Sequence, residues 1–260
     1  MTPQWRDWLT QQSLLDFDTL WGLQTQQVEV ANKSSRGWSR VGRYEHEGSV
    51  FYIKKQENYT RSKLSYGLLK VPTAKIEFDK ILQYRAKNIP CLDVVYYARR
   101  NTGGRDQAML ITESLDGYEA LDVAAQKTLI AGDRQRLAVA LGKSIAALHR
   151  SGILHFNLYP KHIYVKSLDH GRFHLRFIDL EASRRHYGLG SLKRRDIEQL
   201  GRHSMFATRS EKLRVFLAYL GKRQLDRTTK KQLRAMNKKT RRKELKHAFD
   251  PNYHPIEPSN

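Results

Sequence analysis

The sequence predicts an α+β chain in two lobes, a small antiparallel-sheet lobe over residues 1–115 and a mainly helical lobe over residues 116–260. Two observations predict this division. The first half has short stretches in which apolar and polar residues alternate between turn residues, as is typical of β-hairpins. The second half has longer stretches with apolar residues at three- and four-residue spacing, as in helices that bury one face.

Three antiparallel strands are predicted near the N-terminus, around residues 28–30 and over residues 40–45 and 50–54. The loop 34–39 joins the first two of these strands, and a turn at Gly48 joins the last two. The predicted strand 50–54 ends with Lys54, which places a positive charge at the end of this strand.

A helix is predicted over residues 73–87, because its apolar residues recur at helical spacing between Pro72 and Pro90. A second hairpin follows, with a strand over residues 93–99 and an apolar return strand over residues 109–115.

The second half begins with a long amphipathic helix over residues 134–150, which Gly152 is placed to cap. A loop over residues 155–161 leads into a hairpin that turns at residues 169–171, and helices are predicted from there to residue 223.

Composition restricts the compartment and the partners. Cys91 is the only cysteine, which excludes an internal disulfide and a cysteine-cluster metal site and fits a reducing cytoplasm. No stretch approaches the ~18 apolar residues of a membrane span, and the N-terminus lacks the apolar centre of a signal peptide. We therefore expect a cytoplasmic protein that is soluble or attached peripherally to a membrane.

The net charge of +21 points to anionic partners, and it is concentrated in a segment from Lys222 to Lys246. This segment is a solvated helix face, a contact for anionic membranes or a footprint for nucleic acid. Each Lys or Arg near an anionic bilayer gains ~1 kcal/mol. Because no helix-turn-helix, zinc or aromatic RNA-binding signature accompanies the charge, the sequence favours the membrane over nucleic acid.

Two charged residues of the first lobe are candidates for phosphate binding. Strand alternation puts Lys54 on the face opposite its apolar neighbours, and Glu77 on the following helix can hold its ammonium group. Lys55 and Asp79 are the alternatives to these two, and a solvated lysine and a surface glutamate are the plainer interpretations.

The most specific pattern is a loop after a long helix, His155-Phe156-Asn157-Leu158-Tyr159-Pro160-Lys161-His162, and then an acid after a hairpin, Phe177-Ile178-Asp179-Leu180-Glu181. Kinases place their catalytic loop and a metal-binding aspartate in this order. Gly37 in the loop 34–39 is the residue type that lets a turn approach phosphates, although an ordinary hairpin turn is the better explanation of this glycine taken alone.

With Gly37-Trp38-Ser39-Arg40-Val41 upstream, Tyr159 within the later loop and His162 at its end, residues 34–205 resemble the bacterial lipopolysaccharide core kinases of the Kdo/WaaP/InaA kind. The resemblance implies a reduced protein-kinase-like fold that uses ATP and Mg²⁺. It also implies that the substrate is an inner-core sugar of lipopolysaccharide, phosphorylated at the cytoplasmic face of the inner membrane.

The same resemblance assigns roles to particular residues. Glu77 pairs with Lys54, and His162 joins Asp179 as a metal ligand. Asp196 braces the catalytic loop from a later helix. The nucleotide-binding residues are Gly37, Ser39, Lys54, Glu113 and Leu115.

Two residues depart from the family pattern. Asn157 stands where these kinases place the aspartate that accepts the substrate proton, and an amide is not a base at neutral pH. General-base help is worth ~10²–10⁴ in rate. Tyr52 stands where a small residue usually faces adenine, which alters the predicted nucleotide pocket.

The first hypothesis is an ATP- and metal-dependent phosphotransferase that acts on a lipopolysaccharide core sugar or a related envelope molecule, with Asn157, Asp179, Lys54 and Glu77 as its catalytic residues. The alternative, suggested by Asn157, is a kinase-like binding or scaffold protein with impaired catalysis. A third hypothesis, a basic nucleic-acid-binding protein, rests on charge alone.

Overall fold

A computed structural model describes residues 7, 9, 10, 16–35, 37–62, 66–127, 130–186 and 190–248 of the chain. The backbone divides into two compact units, each formed from more than one stretch of sequence. The first contains Met1–Leu121, His162–Ser167 and His174–Ser183, and the second contains Asp122–Lys161, Leu168–Phe173 and Arg184–Asn260.

The lobe boundary expected after residue 115 stays a prediction, which limited proteolysis would check.

The first unit is built on an antiparallel sheet, confirming the predicted fold class. The strands run in the order β1-β3-β4-β8-β7, and β2 pairs with β3. Its elements up to the second hairpin are α1 (Phe17–Gly22), β1 (Gln26–Gln27), β2 (Asn32–Lys33), β3 (Trp38–His46), β4 (Ser49–Glu57), β5 (Thr60–Ser62), β6 (Lys70–Pro72), α2 (Thr73–Arg85), β7 (Val94–Thr102) and β8 (Arg105–Glu113).

One face of the sheet forms an apolar core. Phe51 and Ile53 on β4 are buried there with Met109 and Ile111 of β8, and Leu20 of α1 packs against them. Strand alternation therefore places the even-numbered residues of β4 on the opposite face, as predicted for Lys54.

The opposite face of the sheet holds helix α2. Pro72 precedes this helix and offers no side-chain acceptor for the first N–H groups, so Gln56 of the sheet provides one. The buried Gln56 amide accepts a hydrogen bond from the Ala74 N–H at 2.8 Å and donates to the hydroxyls of Thr73 and Ser39 at 2.6 and 2.9 Å. This network fixes the start of α2, and with it the position of the acid one turn later.

The prediction of a strand around residues 28–30 is wrong. In this stretch the strands that pair with β3 are only Gln26–Gln27 and Asn32–Lys33, and the side chains of Val28 and Val30 are exposed. The two valine side chains have no apolar surface to pack against and so stay exposed. The chain therefore forms strands that pair with β3 only on either side of them, β1 and β2. Strand β4 also continues past Lys54 to Glu57, which places that lysine inside the strand and not at its end.

Five further strands follow β8 in the described part of the chain, and two of them, β11 and β12, form a hairpin. The hairpin turns at residues 169–171, as predicted, and β9 pairs with its first strand. These elements are β9 (Glu119–Ala120), β10 (Ile153–Leu154), β11 (Ile163–Leu168), β12 (Arg172–Phe177) and β13 (Arg184–Arg185).

The second unit is mainly helical, as predicted. Its helices are α3 (Leu121–Gln126, whose first residue belongs to the first unit), α4 (Ala131–Arg150), α5 (Gly190–His203), α6 (Arg209–Leu220) and α7 (Arg227–Ala248). Helix α4 ends at Arg150 with Ser151 as its C-cap, and Gly152 then adopts a left-handed conformation with φ of 81°, as expected of a residue that terminates a helix.

Helices α4 and α6 pack closely because Gly142 has no side chain. A Cβ atom at this position would lie 2.4 Å from the carbonyl oxygen of Val215 and 2.7 Å from the Cβ of Ala218. In contrast, Gly201 of α5 has no atom within 4 Å of the corresponding point.

These two glycines give a matched pair of stability predictions. Gly142→Ala should lower the free energy of unfolding by ~1–3 kcal/mol through overpacking. Gly201→Ala should raise it by ~0.5–1 kcal/mol, because alanine has the better helix propensity and meets no clash. Urea unfolding followed by circular dichroism measures both, and equal effects of the two substitutions would contradict the packing described for α4 and α6.

The described residues contain no helix that is both long enough and apolar enough to cross a membrane. Cys91 is buried, and burial raises the pKa of its thiol to about 12. It is therefore an inert part of the core.

Candidate active site

Lys54 and Glu77 meet in the first unit. The Lys54 ammonium donates to Glu77 Oε2 at 2.5 Å, and the side chains are only 21% and 7% exposed. Strand β4 and helix α2 supply one partner each, so the pair is held by the same contacts that fix the start of α2. The partly exposed lysine keeps donors that a phosphate can reach.

Lys54 lies in a field of negative charge. Burial alone lowers the pKa of this ammonium, but the Glu77 carboxylate, together with Glu181 and Asp179, more than offsets that effect and raises the pKa above its ordinary value. Lys54 is consequently a permanent cation at physiological pH, as a phosphate-binding lysine must be.

The two alternatives to this pair have other tasks. Lys55 points to the apolar face, where its buried ammonium donates to the carbonyl oxygens of Trp21 and Leu23 at 2.7 and 2.8 Å. Burial lowers its pKa to about 8. Asp79 forms an ion pair with Lys75 at 2.5 Å and accepts a hydrogen bond from Tyr66. Neither is available to replace Lys54 or Glu77.

His162 and Asp179 also lie together in the first unit. His162 Nδ1 is 3.5 Å from Asp179 Oδ2, and the backbone N–H of Ile178 donates to the carbonyl of His162 at 3.0 Å. Asp179 has a left-handed backbone, φ 56° and ψ 57°, between strand β12 and a 3₁₀ turn over Leu180–Ala182. Aspartate tolerates this conformation better than most residues, and the conformation turns the carboxylate out of the strand direction.

These side chains fit part of a divalent metal site. Mg²⁺ is commonly held by one or two carboxylates, with phosphate oxygens and water completing the shell. Asp179 provides one such oxygen donor, Glu181 is a second acid two residues later, and the His162 imidazole suits Mn²⁺ better than Mg²⁺. No cluster of three or more metal-binding side chains occurs among the described residues, so the protein donors fit a metal only if nucleotide phosphates complete its shell.

The turn around Gly37 is a compact structure closed on itself. The Ser34 N–H and hydroxyl both donate to the Gly37 carbonyl, and the Gly37 N–H donates to the Ser34 hydroxyl. A Cβ atom on Gly37 would lie 2.2 Å from the carbonyl oxygen of Glu57, so glycine is required there by the neighbouring chain. Ser39 is buried and accepts the hydrogen bond from Gln56.

Glu113 and Leu115 follow strand β8 in the first unit. The Glu113 N–H donates to the Asp93 carbonyl at 3.0 Å, and the Leu115 carbonyl accepts from the Tyr118 N–H at 3.0 Å. Burial, with a further contribution from Asp93, raises the pKa of the Glu113 carboxyl. Their predicted contacts with the nucleotide stay predictions.

The loop that contains Asn157 lies in the second unit, where it is braced by Asp196 of α5. This buried carboxylate accepts hydrogen bonds from the backbone N–H groups of His155 and Phe156 at 2.7 and 2.9 Å. The Asn157 N–H in turn contacts His155 Nδ1 at 3.3 Å. Asp196 therefore occupies the bracing position that the resemblance implied.

Asp196 belongs to a longer buried chain of polar groups that sequence reasoning missed. His149 Nε2 lies 3.1 Å from Asp196 Oδ2, and His149 Nδ1 lies 2.9 Å from the hydroxyl of Tyr219. Gln199 accepts a hydrogen bond from the Leu158 N–H at 3.2 Å. The only signal in the sequence was that polar residues interrupt the apolar faces of α4, α5 and α6, which does not identify their partners.

The antiparallel sheet with its lysine–glutamate pair, together with an aspartate-braced loop on a helical unit, defines a protein-kinase-like fold. The structure of "WaaP in complex with acyl carrier protein" matches it with a TM-score of 0.68 at 20% identity, covering 94% of this chain and 96% of that one. In total, 1712 solved chains match this fold. A fold shared so widely does not determine the function.

The family is determined by sequence. Residues 18–236 match the model of the lipopolysaccharide kinase (Kdo/WaaP) family, and the chain belongs to this family. Among curated proteins, none matches the sequence. The resemblance predicted from the loops is thereby confirmed, and the family supports a kinase that acts on the lipopolysaccharide core.

Proposed function

We propose that this protein is an ATP- and divalent-metal-dependent kinase that phosphorylates a sugar of the lipopolysaccharide inner core. The observation that carries the proposal is the Lys54–Glu77 ion pair, which shares a unit with the His162–Asp179 pair in a chain of the lipopolysaccharide kinase family. These pairs supply a fixed cation and a partial metal site, the two components that phosphoryl transfer requires of a protein.

In this mechanism Lys54 binds and orients the nucleotide phosphates, and Glu77 keeps the ammonium in position. Asp179 and His162 hold the metal, which when bound neutralises charge on the phosphates. Gly37, Ser39, Glu113 and Leu115 complete the nucleotide site. Because the Gly37 turn uses its own amides internally, Lys54 and the metal ligands contribute most of the attraction for phosphate.

Asn157 stands in the position of the base and cannot take the proton of the acceptor hydroxyl. Phosphoryl transfer passes through a loose transition state that depends mainly on positioning and electrostatics, so transfer proceeds without that base at reduced rate. A kinase-like scaffold without turnover is the alternative, and Asn157 is the observation that favours it.

The test of the nucleotide site is binding with and without metal. ATP should bind more tightly with Mg²⁺ or Mn²⁺ than without, and Asp179→Ala should remove most of that difference, because it removes the only carboxylate of the predicted ligand pair. Titration calorimetry measures the affinities. Asp116→Asn, at an exposed position, is the control and should bind like wild type. Metal-independent binding that Asp179→Ala does not change would reject the site.

We further propose that helix α7 attaches the protein to the inner face of the inner membrane, where its substrate is made. Its exposed cations include Lys230, Lys231, Arg234 and Lys238, and the segment has few acids to neutralise them. Attraction of this kind is screened by salt, because the Debye length falls from ~10 Å at 0.1 M to ~3 Å at 1 M.

Binding to anionic liposomes should therefore weaken with salt and weaken further when these four residues are changed to glutamine. Cosedimentation with anionic and with neutral liposomes measures the partition. Changing the same number of exposed cations elsewhere, Arg85, Arg99, Arg172 and Arg214, controls for net charge. Equal binding to both kinds of liposome would exclude the membrane role, and tight salt-sensitive binding to RNA alone would favour the nucleic-acid hypothesis.

The related WaaP structure contains an acyl carrier protein. We propose that this chain also binds an acyl carrier protein, through the basic helix α7 that is proposed to contact the membrane. Copurification with acyl carrier protein tests that proposal.

A further inference from the structure

Phe156, the residue before Asn157, is in contact with two arginines of the second unit. The guanidinium carbon of Arg184 is 4.6 Å from the centroid of its ring, and that of Arg195 is also 4.6 Å away. The two guanidinium groups are consequently no further apart than twice this distance. This places two positive charges beside the loop that carries Asn157.

Three separate elements of the fold create this arrangement. Arg184 is on strand β13, where it pairs in register with Leu154, the residue that leads into the loop. Arg195 is on α5, next to the Asp196 that braces the loop. Phe156 has a positive φ of 64°, which is rare for a large aromatic residue, and its N–H is held by Asp196. Strain of this kind persists where the surroundings enforce it, and it is concentrated at functional sites.

Within the part of the chain that the structure describes, the side chains of Arg184 and Arg195 form no ion pair and no hydrogen bond, and the exposed Arg185 follows Arg184 directly. An aromatic ring attracts a guanidinium but accepts none of its N–H groups in the normal way. Both arginines therefore keep donors that an anion can use, and the repulsion between them falls when an anion binds.

We infer that Arg184 and Arg195 form an anion site for a carboxylate or phosphate on the acceptor, beside the hydroxyl that is phosphorylated. The inference rests on the proposed function, because it is the position next to Asn157 that connects the site with the acceptor. Because both guanidinium groups are 4.6 Å from the same ring, an anionic group at the edge of that ring can accept from both, and Arg recognises such groups through paired hydrogen bonds.

The site gives the protein a means of choosing among hydroxyl groups. An anion bound at Phe156 fixes one end of a sugar, so only a hydroxyl at the matching distance reaches the Asn157 loop. Binding energy from a group that does not react is then used to position the group that does.

The experiment measures binding of core oligosaccharide, released from lipopolysaccharide, to the full chain without ATP. Three forms of the oligosaccharide are compared: untreated, dephosphorylated, and with its carboxyl groups reduced to alcohols. The variants are Arg184→Gln, Arg195→Gln and the double substitution. Arg214→Gln, an exposed arginine on α6, is the matched control.

We expect untreated oligosaccharide to bind wild type and the control with the same affinity. It should bind each single variant roughly tenfold more weakly, since each substitution removes a hydrogen bond between a charged arginine and the anion. One of the two treatments, dephosphorylation or carboxyl reduction, removes the anion that the site binds. The double variant should bind the untreated oligosaccharide and that treated form with the same affinity. The form that loses affinity for wild type identifies the anion as carboxylate or phosphate.

Binding to the double variant equal to that of wild type would overturn the inference and leave the proposed kinase function intact. Failure of wild type to bind any form would overturn the inference together with the proposed acceptor. If the arginine variants lose binding but wild type transfers no phosphate from ATP, the anion site stands and the kinase function fails. In an active protein, the variants should raise the KM for the oligosaccharide and leave the KM for ATP unchanged.

Discussion

Replacing Asn157 by aspartate should raise the rate of phosphate transfer, by at most the ~10²–10⁴ that a positioned base contributes. The substitution supplies an acceptor for the proton of the sugar hydroxyl and changes the side-chain volume little. The loop should keep its shape, because Asp196 holds it through the backbone N–H groups of His155 and Phe156 and not through the side chain of residue 157.

The measurement is ATP consumption with lipopolysaccharide core as acceptor, for wild type, Asn157→Asp and Asp179→Ala in parallel. Asn101→Asp, the same chemical change at an exposed position of β7, should have no effect. No turnover in either wild type or Asn157→Asp, with ATP affinity unchanged or lower, would favour the scaffold hypothesis, since an added carboxylate repels phosphate. Activity that survives in Asp179→Ala would overturn the mechanism whatever happens at residue 157.

Asp196→Ala should have the largest effect on stability. The substitution leaves two buried backbone N–H groups and His149 without their acceptor, and each unsatisfied buried group costs about 1–3 kcal/mol. We expect a loss of about 3 kcal/mol or more in the free energy of unfolding, together with loss of phosphate transfer, because the Asn157 loop loses its brace.

Asp196→Asn is the matched variant, because it keeps one oxygen acceptor and the side-chain shape. It should lose clearly less stability than the alanine variant in urea unfolding. Equal losses would mean that the volume of residue 196 matters more than its hydrogen bonds. Tyr219→Phe removes the far end of the same chain of groups and should have a smaller effect than either.

The sequence was sufficient to predict what depends on local order and alternation. Lys54 could be placed on the correct face of its strand from period two alone, and the loop before Asp179 could be recognised from its neighbours in the chain. The pairing of Lys54 with Glu77 could be named from the sequence only as one candidate, with Lys55 and Asp79 as alternatives, because the two residues are on different elements and other acids could have met this lysine.

The sequence was not sufficient where a contact depends on tertiary packing. The carbonyl of Glu57 leaves no room for a side chain at Gly37, and this contact between segments is one that no local pattern reveals. The same holds for the arginines around Phe156. The hairpin separates Arg184 from Phe156 in sequence and Arg195 lies on helix α5, so their common position depends on the pairing of β13 with β10 and on the contact of Asp196 with the loop.

The neighbouring lysines of β4 have a consequence for how accurately the chain must fold. If one residue were deleted before Lys54, every side chain beyond the deletion would change faces: Lys54 would take the core position of Ile53, and Lys55 would take the place of Lys54. In the correct arrangement the cation on the apolar side finds two carbonyl groups, of Trp21 and Leu23, and the cation on the other side finds Glu77. In the shifted arrangement the charge of Lys54 would be left in the apolar core without those partners, at a cost of several kcal/mol. Two lysines in succession thus act against misfolding, because the shifted strand is unstable although it still offers Glu77 a lysine.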